Sequence, residues 1–169
     1  MTVIGHPVPA IDLGRSPGQF EPAIHTNVRI SMPAVWSLHP QLDKDTVSIG
    51  DLPLSRLLLS KDANYPWLIL VPRQPEAIEI IDLDPEDRAR LMSEIGEVSE
   101  ALRDIAGCDK LNVAALGNQV PQLHVHVIAR RKSDAAWPRP VWGAVPALDY
   151  DPKTLQTLVE TLRHRLQPG

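Results

Sequence analysis

The amino-acid sequence predicts an α+β fold: an antiparallel sheet with a long helix and a C-terminal helix packed on it. Three observations support this prediction. Short runs rich in β-branched residues and leucine come before, between and after a long helical pattern. The connections between these runs are short, as antiparallel neighbours allow. A second helical pattern lies near the C-terminus, and both helical patterns start with an Asp-Pro pair.

The first segment is unlike the rest of the chain in composition. Residues 1–33 hold five of the 17 prolines, Pro7, Pro9, Pro17, Pro22 and Pro33. Such a proline-rich stretch predicts a peripheral extension, although Thr26–Ser31 could form a short strand. We therefore expect residues 1–33 to be an extension and residues 34–169 to form the domain. Within the domain, His39-Pro40 predicts a turn, and we expect His39 to have a structural role.

The first strands of the predicted sheet follow this turn. Residues 46–49 and 54–60 are rich in β-branched residues and leucine, and the residues Gly50-Asp51-Leu52-Pro53 between them predict a hairpin. Residues 67–71 form a continuous apolar run bounded by prolines, which has the length of a buried strand. Residues 110–116 predict a further strand.

Two helices have clear start signals. Asp84 is a good N-cap, Pro85 suits the first helical position, and Gly107 provides a stop. Apolar residues recur at three- and four-residue steps between these signals, at Leu91, Ile95, Val98, Leu102 and Ile105. Asp151-Pro152 repeats the start signal before a second apolar stripe, formed by Leu155, Leu158, Val159, Leu162 and Leu166. Both stripes predict core packing.

Composition excludes several classes of protein. The chain has 169 residues, a formal charge of −4 and a pI near 5.8, which argue against a protein that binds nucleic acid through its phosphate backbone. The single cysteine, Cys108, excludes an internal disulfide framework and suits a reducing compartment. No signal peptide or long apolar run is present, so we expect a cytoplasmic protein without a membrane partner.

The most informative stretch is Gln122–Ile128, with the sequence Gln-Leu-His-Val-His-Val-Ile. Polar and apolar residues alternate along it, which is typical of a half-buried strand. Both imidazoles, His124 and His126, should therefore face the same way, with side chains about 6.5 to 7 Å apart along the strand. Three polar groups on one buried face are costly unless they are paired or used in function.

The two histidines allow two other interpretations. A histidine on a strand is often a hydrogen-bonded core or surface residue. A His-x-His pair can also bind zinc, but zinc needs three or four protein ligands. The other candidate ligands, His6, His25, His39, His164 and Cys108, have no recognisable metal-ligand spacing. We therefore expect no metal and no other cofactor.

The residues after the histidine strand leave two roles open. Arg130-Arg131-Lys132 predicts a solvated strand end, with an anion site as the alternative. The proline-rich segment that follows contains Trp137 and Trp142, which could cap a nucleotide base by stacking or could act as packing or interface anchors.

The stretch from Lys110 to Arg130 resembles the histidine triad (HIT) superfamily, whose signature is a strand with histidines at alternate positions. The resemblance covers roughly residues 40 to 130. Within the superfamily, the chain is similar to bacterial proteins described as diadenosine-polyphosphate-hydrolase-like. These proteins share the Val-Pro-Gln-Leu-His-Val-His run and the later Trp-Pro and Trp-Gly pairs. The resemblance implies a HIT-like fold, a nucleotide or dinucleotide substrate, and a homodimer.

The resemblance also implies roles for individual residues. His124 matches the nucleophile that attacks the α-phosphate and becomes transiently nucleotidylated. His126 matches the third histidine, which positions the phosphate and the nucleophile. A neutral imidazole is nucleophilic near pH 7, and its phosphoramidate is labile enough to be discharged by water. The implied chemistry needs no metal, because backbone N–H groups and side-chain amides can hold the phosphate charge.

The remaining matches concern binding and one departure from the pattern. Asn112, Asn118 and Gln119 match polar positions that contact ribose or phosphate oxygens, Asp62 matches an acidic ribose contact, and Gly117 lets the backbone approach a phosphate. Gln122 replaces the first histidine of the signature, and glutamine cannot carry a proton near neutral pH. Three functions follow as hypotheses: a nucleotide hydrolase or nucleotidyl transferase, a nucleotide-binding or sensing module with little turnover, and a scaffold for interactions.

Overall fold

A computed structural model describes residues 35–169. The predicted extension of residues 1–33 and its possible strand at Thr26–Ser31 lie outside the described residues. The elements are, in order, α1 (Pro40–Asp45), β1 (Thr46–Asp51), β2 (Ser55–Ser60), β3 (Trp67–Pro72), a 3-10 helix (Ile80–Asp82), α2 (Pro85–Ala106), β4 (Lys110–Ala114), β5 (Val125–Arg130) and α3 (Pro152–Leu166).

The five strands form one antiparallel sheet in the order β1-β2-β3-β5-β4. This confirms the predicted α+β class, the hairpin of β1 and β2, and the buried strand β3. Chain order is broken once, where β5 inserts between β3 and β4. That insertion places the histidine strand beside β3, in the interior of the sheet.

Both faces of the central strands are covered. On one face, strand residues such as Leu57, Leu68 and Val127 pack with α2 and α3, represented by Val98 and Leu162, and all five are buried. On the other face, alternate residues of the same strands form two smaller apolar clusters. Covering both faces explains why β3 is a continuous apolar run and does not alternate.

The two long helices begin and end where local chemistry predicts. The carboxylate of Asp84 accepts a hydrogen bond from the backbone N–H of Asp87 at 2.8 Å, and Gly107 ends α2 with a left-handed φ of 59°. Asp151 caps α3 through Thr154 in the same way. None of the helices among residues 35–169 is long and apolar enough to cross a bilayer.

Three local expectations are wrong. His39-Pro40 does not form an isolated turn, because His39 caps the short helix α1. The histidine strand β5 begins at Val125, so Gln122 and His124 precede it. Arg130 is not solvated: it is 2% exposed and forms a salt bridge with Asp134, with Nε 2.8 Å from the carboxylate. A nearby acid on the following turn allows the guanidinium to be buried.

Candidate active site

A cavity of about 480 Å³ lies on the sheet face that α2 and α3 leave free. Its walls come from six parts of the chain: α1, the paired ends of β1 and β2, strand β3, the turn that leads to the histidines, the start of β5 with the residue before it, and the segment after β5. The residues that line it are Gln41, Leu42, Asp45, Thr46, Ser60, Trp67, Ile69, Leu116, Asn118, Gln119, Val120, His124, His126, Trp142 and Gly143. Both signature histidines therefore border one cavity.

The tautomer of His124 follows from its hydrogen bond. Its Nδ1 lies 2.7 Å from the backbone oxygen of Gln122. A carbonyl oxygen can only accept a hydrogen bond, so Nδ1 carries the proton and donates it. The Nε2 atom of the neutral ring consequently has a free lone pair. The backbone of Gln122 thus sets the ring orientation of His124, and Nε2 has no hydrogen-bond partner among the described residues.

His126 is held in the opposite tautomer. The indole N–H of Trp67 donates to Nδ1 of His126 at 3.0 Å, so the proton of the neutral ring is on Nε2, which lies 3.4 Å from the backbone oxygen of Leu116. Burial and, to a smaller extent, the neighbouring His124 lower the pKa of His126 to about 4, against the opposing effect of the hydrogen bond to Leu116. His126 is therefore neutral at pH 7.

The two imidazoles are closer than the predicted 6.5 to 7 Å spacing. Their ring centroids are 4.8 Å apart and their planes meet at 85°. His124 lies just before β5, so its side chain does not follow the regular pleat that the prediction assumed. The rings meet edge to face, and each can contact a different part of one phosphate group.

Two tryptophan side chains pack against the ring of His126. Trp67 and Trp142 lie edge to face with ring centroids 5.6 Å apart, and each lies 5.3 Å from the ring of His126. Of the two tryptophans that were considered for base stacking, only Trp142 lines the cavity. Trp137 instead lies against the guanidinium of Arg130, at 5.8 Å, where it has a packing role.

Three of the predicted binding residues are close to His124. Asn118 and Gln119 line the cavity with both histidines. Gly117 lies on the other side of His124, where a Cβ atom would be 3.5 Å from Cε1 of that ring and 3.0 Å from the backbone oxygen of Val120. A smaller cavity of about 240 Å³ opens on this side, and His124 and Asn118 border both cavities.

Two other predicted binding residues are used elsewhere. The side-chain oxygen of Asn112 accepts a hydrogen bond from Arg130 at 2.7 Å. The carboxylate of Asp62 accepts from the backbone N–H groups of Asn64 and Leu148, at 3.0 and 3.1 Å. Neither Asn112 nor Asp62 lines the 480 Å³ cavity. Their contacts instead fasten the segment after β5, which carries Trp142, to the sheet.

The sequence predicts a catalytic position at Gln122, because it stands at the first histidine position of the signature. Gln122 does not line the 480 Å³ cavity, but it lines the smaller cavity together with Gly117, Asn118 and His124. Its amide binds the backbone of the segment that precedes α1. The oxygen accepts from the N–H of His39 at 2.9 Å, and the nitrogen donates to the carbonyl of Ser37 at 2.9 Å. The position that matches the first histidine of the signature is therefore occupied by a side chain with two hydrogen bonds to the backbone.

Several cavity residues were not predicted from the sequence. Gln41 and Asp45 lie on the exposed side of α1, and their side chains are hydrogen-bonded to each other at 2.6 Å. Ser60 and Thr46 line the cavity from neighbouring strand ends. These residues carry no motif, since a six-residue helix is too short for a periodic pattern. Only the N-capping potential of the residues before Gln41 could have indicated the helix.

The titratable side chains do not form a metal centre in the part of the chain that the structure describes. Within residues 35–169, no three His, Cys, Asp or Glu side chains are grouped closely enough to hold an ion. The two signature histidines are instead hydrogen-bonded to protein groups.

Comparisons with known proteins agree with this geometry. The family model described as HIT domain matches residues 41–133. A histidine triad protein from Bradyrhizobium japonicum is similar in structure, with 61% identity and a TM-score of 0.78 over 79% of this chain and 99% of that chain. One from Marinobacter aquaeolei has 42% identity and a TM-score of 0.77, over 79% and 98%.

A third structure, from Sinorhizobium meliloti, has 40% identity and a TM-score of 0.75, over 78% of this chain and 97% of that chain. No curated protein gives a significant match. The matched region includes both histidines, the turn before them and most of the cavity. On the family match and these structural relatives together, the chain belongs to the HIT domain family.

Proposed function

We propose that this protein is a nucleotide hydrolase or nucleotidyl transferase that works through a covalent nucleotidyl group on Nε2 of His124. One observation carries the proposal: the backbone oxygen of Gln122 binds the Nδ1 proton of His124, which leaves Nε2 free beside a cavity. Membership of the HIT family supports nucleotide chemistry as the use of this nucleophile.

The proposed reaction has two steps. The lone pair of Nε2 attacks the α-phosphorus, a P–N bond forms, and the bond to the leaving group breaks. The leaving group departs with the electron pair and takes a proton from water. In the second step water attacks phosphorus, the P–N bond breaks with its electron pair returning to Nε2, and a proton is released to solvent. A nucleophilic acceptor in place of water gives transfer.

Neutral donors around the phosphate would stabilise the developing charge. The side-chain amides of Asn118 and Gln119 line the cavity beside His124, and Gly117 allows close approach of the backbone. His126 has its proton on Nε2 and can donate to a phosphate oxygen if it gives up the long 3.4 Å contact with Leu116. The site can therefore hold an anionic ester without a metal.

The proposed substrates contain a nucleotidyl group joined to a good leaving group, as in dinucleoside polyphosphates and nucleoside phosphoramidates. The subtype described as diadenosine-polyphosphate-hydrolase-like is a finer proposal, based on the sequence around Gln122. We expect Trp142 to contact the base, because its half-buried ring lines the cavity beside His126.

The proposal is tested by trapping the intermediate. Purified protein is mixed with diadenosine tetraphosphate or adenosine 5′-phosphoramidate, quenched, and measured by intact-protein mass spectrometry. Wild type should gain the mass of one adenylyl group, and His124→Ala should gain none. His164→Ala is the matched control, because His164 is exposed on α3. Substrate turnover by His124→Ala at the wild-type rate would refute the mechanism.

A nucleotide-binding module is the second candidate, and Gln122 favours it. If glutamine at the first signature position has removed proton transfer, the protein would bind nucleotides with little turnover. In that case AMP would raise the melting temperature of wild type while no substrate is consumed. Substrate consumption above the rate of the His124→Ala variant would favour the enzyme.

We also propose a homodimer that forms through the edge strand β4. Within residues 35–169 this strand pairs only with β5, and its Val113 is 48% exposed. An exposed edge with an apolar residue is suited to pairing with a second copy. Light scattering should show a dimer for wild type and a smaller species for Val113→Lys, whereas monomeric wild type would exclude this arrangement.

A further inference from the structure

Gln122 makes two side-chain hydrogen bonds to one short backbone segment. Its oxygen accepts from His39 and its nitrogen donates to Ser37, both at 2.9 Å. The two partners are 83 and 85 residues away in sequence. A glutamine amide offers an acceptor and a donor on one rigid plane, so it can satisfy both backbone groups at once. The segment is thereby fixed to the stretch that carries the nucleophile.

The segment in turn determines where α1 begins. His39 is the N-cap of α1, and its Nδ1 accepts a hydrogen bond from the N–H of Gln41 at 3.1 Å. A helix of six residues has little stability of its own, so its position depends on such tertiary contacts. Because α1 supplies Gln41, Leu42 and Asp45 to the cavity, the amide of Gln122 helps to place one wall of it.

The backbone of Gln122 makes a separate contact, with His124. Its carbonyl oxygen accepts the Nδ1 proton of His124 at 2.7 Å and so exposes the Nε2 lone pair. One residue thus contacts the nucleophile through its main chain and the cavity wall through its side chain. A shift of the Gln122 backbone would move both elements together, which links substrate placement to the orientation of His124.

We propose that Gln122 is a positioning residue that aligns the α1 wall with His124, and that it has no part in proton transfer. The inference rests on the proposed function, since it names how this chain uses the first position of the histidine signature. It assigns a part in substrate binding to a side chain that does not line the 480 Å³ cavity. Replacement of the side chain should therefore weaken nucleotide binding and leave the chemical step largely intact.

The test compares steady-state constants across a small set of variants. Gln122→Glu keeps the acceptor for His39 but loses the donor for Ser37, and Gln122→Ala loses both. Loss of one or two hydrogen bonds should raise KM for adenosine 5′-phosphoramidate by roughly 5- to 20-fold. At each pH, kcat should change by less than about 3-fold. Gln156→Ala, an exposed glutamine on α3, is the matched control.

A second pair of variants tests the contact by which His39 caps α1. His39→Ala removes the cap of α1 and should raise KM in the same direction. His39→Ser supplies another good N-cap and should restore KM toward the wild-type value. This pair leaves Gln122 intact, so it keeps the inference testable even if Gln122→Ala does not fold.

Hydrogen exchange gives a readout that does not depend on turnover. In the Gln122 variants, peptides that contain residues 37–45 should exchange faster than in wild type, while peptides from α3 should not change. A fall in kcat with an unchanged KM would overturn the inference and assign Gln122 to the chemical step. Unchanged KM and unchanged exchange would overturn it as well. If wild type neither binds AMP nor consumes substrate, the proposed function fails, and the exchange result still decides whether Gln122 places α1.

Discussion

The indole N–H of Trp67 donates a hydrogen bond to Nδ1 of His126 at 3.0 Å across neighbouring strands. This contact determines which nitrogen of His126 carries the proton, because the indole can only donate. It also explains why a large aromatic residue begins β3, beside the cavity, where an aliphatic residue would be enough for packing.

Trp67→Phe tests this relationship. Phenylalanine keeps an aromatic ring beside His126 but has no N–H, so the tautomer of His126 should become mixed. We expect kcat to fall by about 5-fold, because one neutral hydrogen bond is worth about 1 kcal/mol. Nitrogen-15 shifts of the His126 ring should report Nε2–H in wild type and averaged values in the variant. Identical ring shifts in the two proteins would contradict the assignment.

The lowered pKa of His126 predicts a pH dependence of stability. At pH 7 the ring is neutral in both the folded and the unfolded chain, so its titration contributes nothing to the pH dependence of stability. Below about pH 6.5 the unfolded chain binds a proton that the folded chain does not bind until about pH 4. The free energy of unfolding should therefore fall by up to about 3 kcal/mol between pH 6.5 and 4.

Urea unfolding of wild type and His126→Gln over this range measures the effect. The stability of wild type relative to the variant should decrease as the pH falls. Subtracting the free energy of unfolding of the variant from that of wild type removes the contribution of carboxylates that titrate in both proteins. A difference that stays constant from pH 7 to 4 would show that the folded pKa of His126 is not lowered.

Glu94 is a buried acid on the apolar side of α2, and its stability role can be measured. It is 2% exposed, and its carboxylate accepts the backbone N–H groups of Leu54, at 2.6 Å, and Ser55, at 3.1 Å. Glu94→Gln turns one acceptor oxygen into a donor that faces an N–H group. We expect a loss of about 2 to 3 kcal/mol in the free energy of unfolding.

The exposed Glu97 on the same helix provides the comparison for this measurement. Glu97→Gln should change stability by less than about 0.5 kcal/mol. If the two substitutions cost the same, the carboxylate of Glu94 is not needed to hold the connection between β1 and β2.

The buried pair of Arg130 and Asp134 predicts a larger effect. The guanidinium makes two hydrogen bonds to the carboxylate, at 2.8 and 3.0 Å, and it holds the pKa of Asp134 below its ordinary value. Asp134→Asn leaves a buried cation without its counter-charge, so unfolding should become easier by about 3 to 5 kcal/mol. Chemical denaturation measures the change.

An exposed ion pair on α2 is the control for this substitution. Arg90 and Glu86 are 3.5 Å apart at the surface, and Glu86→Gln should cost less than about 1 kcal/mol. The two losses should differ by at least about 2 kcal/mol. Equal losses would mean that the Arg130 pair is not desolvated in solution.

Local chemistry made much of the fold predictable. Asp84 and Gly107 define the ends of α2 by capping alone, and the apolar run at β3 has the length of a strand. The start of β5 was not predictable in the same way, because a strand extends only as far as its partners do. β4 ends at Ala114, opposite His126, so the residues before Val125 have little to pair with.

The site was predictable where the signature is local and not where it depends on distant residues. His124, His126, Asn118 and Gln119 meet at one cavity because they lie within nine residues of sequence. Asn112 and Asp62 are hydrogen-bonded to Arg130 and Leu148, which lie 18 and 86 residues away in sequence. No sequence pattern around Asn112 or Asp62 predicts those partners.

Trp142 lies beyond residue 133, where the family match ends, yet it borders the same cavity as the two histidines. The two histidines and part of the cavity wall around them therefore lie in separate stretches of the sequence. A chimaera that received only the stretch up to residue 133 would contain both histidines but lack Trp142, so one side of its cavity would be open. Transplanting the selectivity of this protein onto another member of the family would require moving both stretches together.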